Sequence, residues 1–376
     1  MKRIRMNAVL ALAAGLLLSA LPAITPARQE APAIATLYAQ EAYETMAFDC
    51  SAAGGTERLA FPVSASYPQQ ASEWRAKGYK GWTVEEARRA FEGLGAYAAG
   101  TAQSDKTWSE DEKNFENAEG ALLYSYPGQL QYISAEAQRG WYERATFAAA
   151  TDVFGDATHY AEGFGLDLEA ALGEAYPQFA DVLEATERFI DENGLSVGKP
   201  VAIKYWTLEQ MRENWRKGIV AEAPDDSECP LQAQDEALYV VYPTFFQGVR
   251  MMPFGAGAPE GIVNCETGVT VFMNTRQILS VRSGANRFAS LTEGAGGAVI
   301  SPQAAWERYL ALLEQYLFIP EGALDVEAMA LQYTVRYKQK ADDFDPDYEL
   351  VPVWTIQLQD QSAVMIHAVT GEEVPW

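Results

Sequence analysis

The chain of 376 residues is long enough for two or three domains or one large α+β body. A hydrophobic share of 48% supplies a core and excludes wholesale disorder, while a formal charge of -24 gives a surface that as a whole repels nucleic acid and anionic lipid. Three cysteines allow one disulfide in an exported protein, and no two of them sit at metal-ligand spacing.

Lys2, Arg3 and Arg5 precede an apolar run from Ala8 to Leu21, and Pro22 and Pro26 prevent a helix from continuing beyond it. About 14 apolar residues fall short of the about 20 that a helix needs to cross hydrocarbon. With the small-residue site Thr25-Pro26-Ala27, residues 1–27 read as a secretory signal peptide; an uncleaved anchor is the rival reading. No cysteine stands at the end of the run for lipid attachment, and no other segment is apolar enough to span a membrane. Cleavage would remove three positive charges and take the chain from -24 to -27, a charge that favours solubility outside the cell.

Residues 28–45 have weak periodicity and read as a linker. Leu59 to Ala65 alternates like a strand, and Pro62 within it predicts an edge position. Thr83 with Glu86 spells a capping box for a helix carrying Val84, Ala87, Phe91 and Leu94 on one face. Residues 100–117 read as a surface loop. Gly120 to Tyr126 and Gln129 to Ile133 form a hairpin around Pro127-Gly128, and residues 135–165 carry no assignable pattern. A helical pattern from Asp167 to about Glu192 should kink at Pro177 and exit at Asn193-Gly194. Pro200 to Trp206 reads as a short strand, and Thr207 with Gln210 caps another helix.

The acidic, proline-bearing segment 221–235 is the expected boundary between an N-terminal lobe (46–220) and a C-terminal lobe (236–376). Beyond it, strands are expected at Leu238–Tyr242, Gly268–Met273 and Gln277–Val281. A glycine-rich loop (Gly294, Gly296, Gly297) then leads to a helix with Ser301 as N-cap and Pro302 at its first position. Trp306, Tyr309, Leu310, Leu313, Tyr316 and Leu317 give that helix one apolar face. Leu331–Lys338, Leu350–Gln359 and Ala363–Val369 alternate as three strands of an antiparallel meander, half-buried under the 301–317 helix, with Trp354 central in its core. The expected fold class is α+β, with two related lobes of antiparallel sheet each covered by helices.

This order of strands, helix and strands resembles the exported YycH/YycI-type regulators of a cell-wall sensor kinase in Gram-positive bacteria, and related uncharacterised lipoproteins with a PepSY-like layout. Tyr242 to Pro253 (Tyr-Pro-Thr-Phe-Phe-Gln-Gly-Val-Arg-Met-Met-Pro), Leu350-Val-Pro-Val-Trp354 and Ala368-Val-Thr-Gly371 carry the resemblance. The lipid-anchor cysteine of the lipoproteins is absent, and the apolar segment is short beside the membrane helix of the regulators. The resemblance implies an extracytoplasmic, non-enzymatic protein of the bacterial surface that binds or restrains another envelope protein. It brings no catalytic residue with it.

The candidate chemistry is sparse. Gly194-Leu-Ser196-Val-Gly198 matches a nucleophile elbow, with His367 downstream, but the elbow requires a strand before the serine and a helix after it, the reverse of the pattern here. His159 and His367 read as packed or surface imidazoles. Asp342 to Glu349 spaces carboxylates like the start of a calcium loop; Tyr348 and Trp354 replace the glycine and glutamate that an EF-hand needs, leaving only an irregular weak site open. Cys229 and Cys265 flank a strand pair and form the disulfide candidate. Trp74, Trp82, Trp108 and Trp141 read first as core and second as a sugar-stacking face. No catalytic, cofactor-binding or metal residue is assigned. The expected function is a secreted binding or regulatory protein whose partner is an envelope protein or glycan; the alternatives are an acidic glycan hydrolase using a carboxylate pair and a carbohydrate-binding module.

Overall fold

Two sheets, each of nine strands among the described residues, carry the fold. The computed structural model describes residues 43–50, 58–80, 82–94, 102–103, 113–126, 129–146, 161–162, 176–195, 200, 202–217, 228–252, 262–264, 267–283, 287–315, 322–338, 347–359 and 363–375. The expected signal peptide lies outside them, and the expected linker gives way to a strand at Tyr43.

In chain order the first strands are β1 (Tyr43–Asp49), β2 (Arg58–Ser64) and β3 (Gln70–Tyr79), followed by helix α1 (Val84–Gly93). Then come β4 (Ala102–Gln103), β5 (Lys113–Glu116), β6 (Leu122–Tyr126), β7 (Gln129–Ile133), α2 (Trp141–Thr146) and β8 (Ala161–Glu162). Helix α3 (Ala180–Asn193), β9 (Ala202–Trp206) and α4 (Leu208–Lys217) come next. The second half has β10 (Ala237–Tyr242), β11 (Phe245–Phe246), β12 (Val249–Arg250), β13 (Ile262–Asn264), β14 (Val269–Asn274), β15 (Ile278–Ser283) and β16 (Phe288–Ala298). Helix α5 (Pro302–Leu313), β17 (Val326–Lys338), β18 (Asp347–Leu358), β19 (Ala363–His367) and β20 (Glu373–Val374) complete it.

Local chemistry sets the helix ends where the sequence places them. Thr83 Oγ1 accepts from Glu86 N at 3.1 Å, and Glu86 Oε2 accepts from Thr83 N at 2.8 Å, so two orphan donors of the first turn of α1 are satisfied. Thr207 and Gln210 make the same reciprocal pair at the start of α4. Pro177 opens a 3-10 turn, Pro177–Phe179, ahead of α3, and Gly194 ends that helix at φ 57. Ser301 Oγ accepts from Ala304 N at 3.2 Å, with Pro302 directly behind it. Ser301→Ala should therefore cost about 1 kcal/mol of unfolding free energy, read from the urea midpoint.

The predicted meander forms: β18 pairs antiparallel with β17 on one side and with β19 on the other. Trp306, Tyr309, Leu310 and Leu313 of α5 pack with Leu331, Trp354 and Ile366 in one buried cluster. The strands are more deeply buried than expected. On their second face Val351, Val353 and Met365 pack with Met252 and Val374. Beside them Gln332, Thr355 and the guanidinium of Arg250 are buried as a polar chain. With the Gln332 amide in the orientation that satisfies both ends, its oxygen lies 2.6 and 2.9 Å from Arg250 Nη2 and Nε, and its nitrogen 2.9 Å from Thr355 Oγ1. Polar side chains on strands expected to be half-buried are thus satisfied inside.

The strands do not sort at residues 221–235. The mixed sheet joins β1, β2 and β3 to β13 and β16–β20, and the antiparallel sheet joins β4–β9 to β10, β14 and β15. Each sheet thus takes strands from both expected lobes. Pro62 sits opposite Thr45 of β1, so β2 is second from the margin rather than at it; β17 meets it in parallel at one pair, Met329 against Val63. Two short strands, β4 and β5, interrupt the expected 100–117 loop, and the glycine-rich loop before α5 is the strand β16.

Candidate functional site

His367 is buried and occupied. Its Nδ1 accepts from the backbone N–H groups of Val369 and Thr370, each at 3.1 Å, which leaves the ring proton on Nε2 to be donated to Glu73 Oε1 at 3.0 Å. The imidazole therefore ties the turn after β19 to β3. Ser196, His159, Trp108 and the acidic stretch 342–346 lie outside the described residues. Asp347 and Glu349 stand on β18, and Glu349 pairs with Arg336 at 3.2 Å. Cys50 is buried and Cys229 half-buried, both as free thiols; Cys265, the other half of the expected pair, lies outside the described residues. Among the described residues no group of three His, Cys, Asp or Glu side chains could hold a metal ion. Trp82 is buried under the Arg287 guanidinium, 4.2 Å from the ring, and Trp141 lies 5.1 Å below Arg139.

The structure brings together a carboxylate pair that the sequence did not reveal. Arg276 Nη2 donates to Glu136 Oε1 at 2.9 Å and to Asp235 Oδ1 at 2.5 Å. The Tyr142 hydroxyl lies 3.4 Å from Glu136 and 3.3 Å from Asp235, and Asn274 Nδ2 donates to it at 2.8 Å. Gln277 Nε2 donates to the second oxygen of Glu136, and Gln232 N donates to that of Asp235 at 2.8 Å. Burial pushes the Tyr142 hydroxyl well above its ordinary pKa, with the two carboxylates adding to the effect against the Asn274 hydrogen bond. Burial lowers the Arg276 pKa, but Glu136 and Asp235 outweigh it and hold the guanidinium charged. Both carboxylates are thus committed to a fixed cation and to amide donors, as a structural tie between the turn before β10, the start of α2 and the β14–β15 turn requires.

Replacing the cation tests that role. Arg276→Met leaves two close carboxylates around one phenol, and should cost about 1–3 kcal/mol by urea unfolding, less than a fully buried pair because the Arg276 side chain is 48% exposed. Sequence reading missed this cluster because it joins an unassigned segment to two turns. The one local signal was Asn274, whose Oδ1 accepts from the N–H groups of Arg276 and Gln277.

A different kind of site lies at the margin of the mixed sheet. β16 pairs with β3 and, among the described strands, with no other. Every residue from Ala289 to Gly296 is exposed. An outward row of N–H and C=O groups on a strand this long is a template for pairing. Proteins blunt such edges with Lys, Pro or bulges; β16 has neither Lys nor Pro, its bulge lies between Glu293 and Gly296, beyond Ser290–Thr292, and its single charge is Glu293, whose Oε1 accepts from Ser72 at 2.7 Å. Among the described residues Leu291, 41% exposed, is the one exposed large apolar side chain. It shares a sheet face with Ala76 and Trp74, and the Trp74 ring meets Phe246 edge-on at 5.5 Å.

The glycines that disguised β16 as a loop answer a steric demand. A Cβ at Gly296 would lie 2.3 Å from Ser72 Oγ, and one at Gly297 would lie 2.7 Å from Val369 Cγ1. A side chain at either position would therefore force Ser72 of β3 or Val369 of the turn after β19 to shift.

No family model and no curated protein matches the chain. Among solved structures it is similar to the crystal structure of an uncharacterized protein from Eubacterium rectale ATCC 33656, with a TM-score of 0.53 at 12% sequence identity, covering 84% of this chain and 90% of that one. At that identity the likeness is one of fold: both chains share an α+β arrangement, here mostly strands in one mixed and one antiparallel sheet with few helices.

Proposed function

We propose that the protein is a secreted, non-enzymatic binding or regulatory protein of the bacterial cell envelope, acting through protein–protein contact. The observation that carries this reading is β16, a long, exposed edge strand without lysine or proline, with Leu291 exposed on its regular stretch ahead of the bulge at Glu293–Gly296. The apolar run behind Lys2, Arg3 and Arg5 and the net charge of -24 support an extracytoplasmic setting. The resemblance to YycH/YycI-type, PepSY-like regulators supports a partner within the envelope. For the glycan-hydrolase alternative, the carboxylate pair Glu136 and Asp235 is a poor fit, because their oxygens are already taken by Arg276, Gln277 and Gln232.

A photo-crosslinking residue at position 291 tests the reading, with one at the exposed Glu184 of α3 as control. In intact envelopes position 291 should give a discrete protein adduct and position 184 none. Equal labelling from both positions, or turnover of an envelope glycan by the purified protein, would sink the reading.

A further inference from the structure

We propose that the outer edge of β16 takes up an extended segment of the partner as an added strand, in which acidic side chains alternate with apolar ones. This rests on the reading of β16 as a contact surface and adds the chemistry of what is bound. Strand addition supplies affinity through main-chain hydrogen bonds and selectivity through alternate side chains.

Cross-strand register fixes what those side chains meet. On one face of the sheet Arg336 of β17 stands opposite Glu349 of β18, Glu349 opposite Arg75 of β3, and Arg75 opposite Thr292 of β16. In the next row of that face, Asp347 stands opposite Lys77 and Lys77 opposite Ser290. Charge alternates along both rows, stops at a cation on β3, and meets a short hydroxyl side chain at the edge. Glu349 is taken by Arg336 at 3.2 Å. Arg75 and Lys77 are exposed and, among the described residues, have no ion pair or hydrogen bond through their side chains. One further strand would lie about 4.8 Å beyond β16 and about 10 Å from β3, a gap that the long Arg75 and Lys77 side chains can close by leaning over the short Thr292 and Ser290, and acids there continue the alternation.

The opposite face selects apolar partners. Leu291 stands there opposite Ala76, and Glu293 opposite Trp74 is held by Ser72, so apolar side chains alternating with the acids would cover the exposed leucine. A second copy of this chain is a poorer occupant. Its own β16 would bring Ser290 and Thr292 to the cation rows and leave Arg75 and Lys77 of both copies without acids. The overall charge of -24 does not bar an acidic segment, because at physiological salt it is screened beyond about 8 Å while Arg75 and Lys77 act at contact.

The test uses the mature chain and two short capped peptides, one alternating valine with glutamate and the other valine with lysine, followed by fluorescence anisotropy. The glutamate peptide should bind at least about tenfold more tightly than the lysine peptide. Arg75→Glu with Lys77→Glu should reverse that order, with an unchanged unfolding midpoint showing that these surface changes leave the fold intact. Methylation of alternate peptide nitrogens on the pairing edge should abolish binding. Equal affinity for both peptides, or a preference untouched by the double charge reversal, overturns the proposal. So does a dimer in sedimentation that Leu291→Glu dissociates, which gives the edge to a second copy. Binding that emerges only after deletion of residues 28–42 gives it to the chain's own arm and equally overturns the proposal. An adduct from position 291 with a flat peptide preference would retain the contact function and reject the acidic-strand chemistry.

Discussion

Trp354→Ala is expected to lower the unfolding free energy by about 3–5 kcal/mol, the range for deleting a fully buried aromatic side chain. Trp354 has no exposed surface, and its indole N–H donates to Ile300 O at 3.0 Å in the segment that leads into α5. The Tyr67 ring packs edge-on against it, centroid to centroid 5.0 Å. Truncation opens a cavity between β18 and α5 and leaves the Ile300 carbonyl unpaired, so the transfer and hydrogen-bond losses add. Trp354→Phe keeps most of the ring volume and should cost about 1–2 kcal/mol, nearer the loss of the hydrogen bond alone. Urea titrations with an unchanged slope separate these outcomes, and an alanine variant within about 1 kcal/mol of wild type would place Trp354 outside the core.

Trp306→Ala should cost a similar amount, about 3–5 kcal/mol, and it tests how the chain is divided. Its ring lies 5.4 Å from Phe48, from Phe61 and from Tyr309, and its N–H donates to Asp49 O at 3.1 Å. Phe48 and Phe61 belong to β1 and β2, so this contact joins the first strands of the chain to a helix more than half its length away. If the mixed sheet is one cooperative unit, tryptophan fluorescence and far-ultraviolet circular dichroism should both shift to lower urea in the variant, without a separate early phase from β1 and β2. A transition that leaves the C-terminal signal in place while the N-terminal strands melt would restore the division at 221–235.

Features written in neighbouring residues were legible in the sequence. The capping box at Thr83 and Glu86, the exit at Gly194, the Ser301-Pro302 helix start and the β17–β18–β19 meander all rest on local spacing, and all are present. Pairings between distant segments were not legible, because period-2 alternation says that a strand has a buried face but not which strand lies beside it. The parallel contact of Val63 with Met329, and the passage of β3 between β18 and β16, are of this kind. The burial of Gln332 and Thr355 was hidden for a related reason: alternation does not reveal that Arg250 arrives from a distant segment to satisfy them. The candidate site was hidden by composition. Gly294, Gly296 and Gly297 have the signature of a loop, whereas at Gly296 and Gly297 a Cβ would have to displace the neighbouring Ser72 and Val369 side chains. Phe288 and the Ser290-Leu291-Thr292 run ahead of the glycines were the available strand signal.

Amide hydrogen exchange along residues 288–298, with and without the alternating valine–glutamate peptide, tests most directly whether the edge of β16 is the contact surface. The inward amides bonded to β3 should be protected throughout, and the outward amides should exchange fast alone and slow on binding, with β1 at the far margin unchanged. Protection that arises elsewhere while the outward amides of β16 stay fast would contradict the assignment.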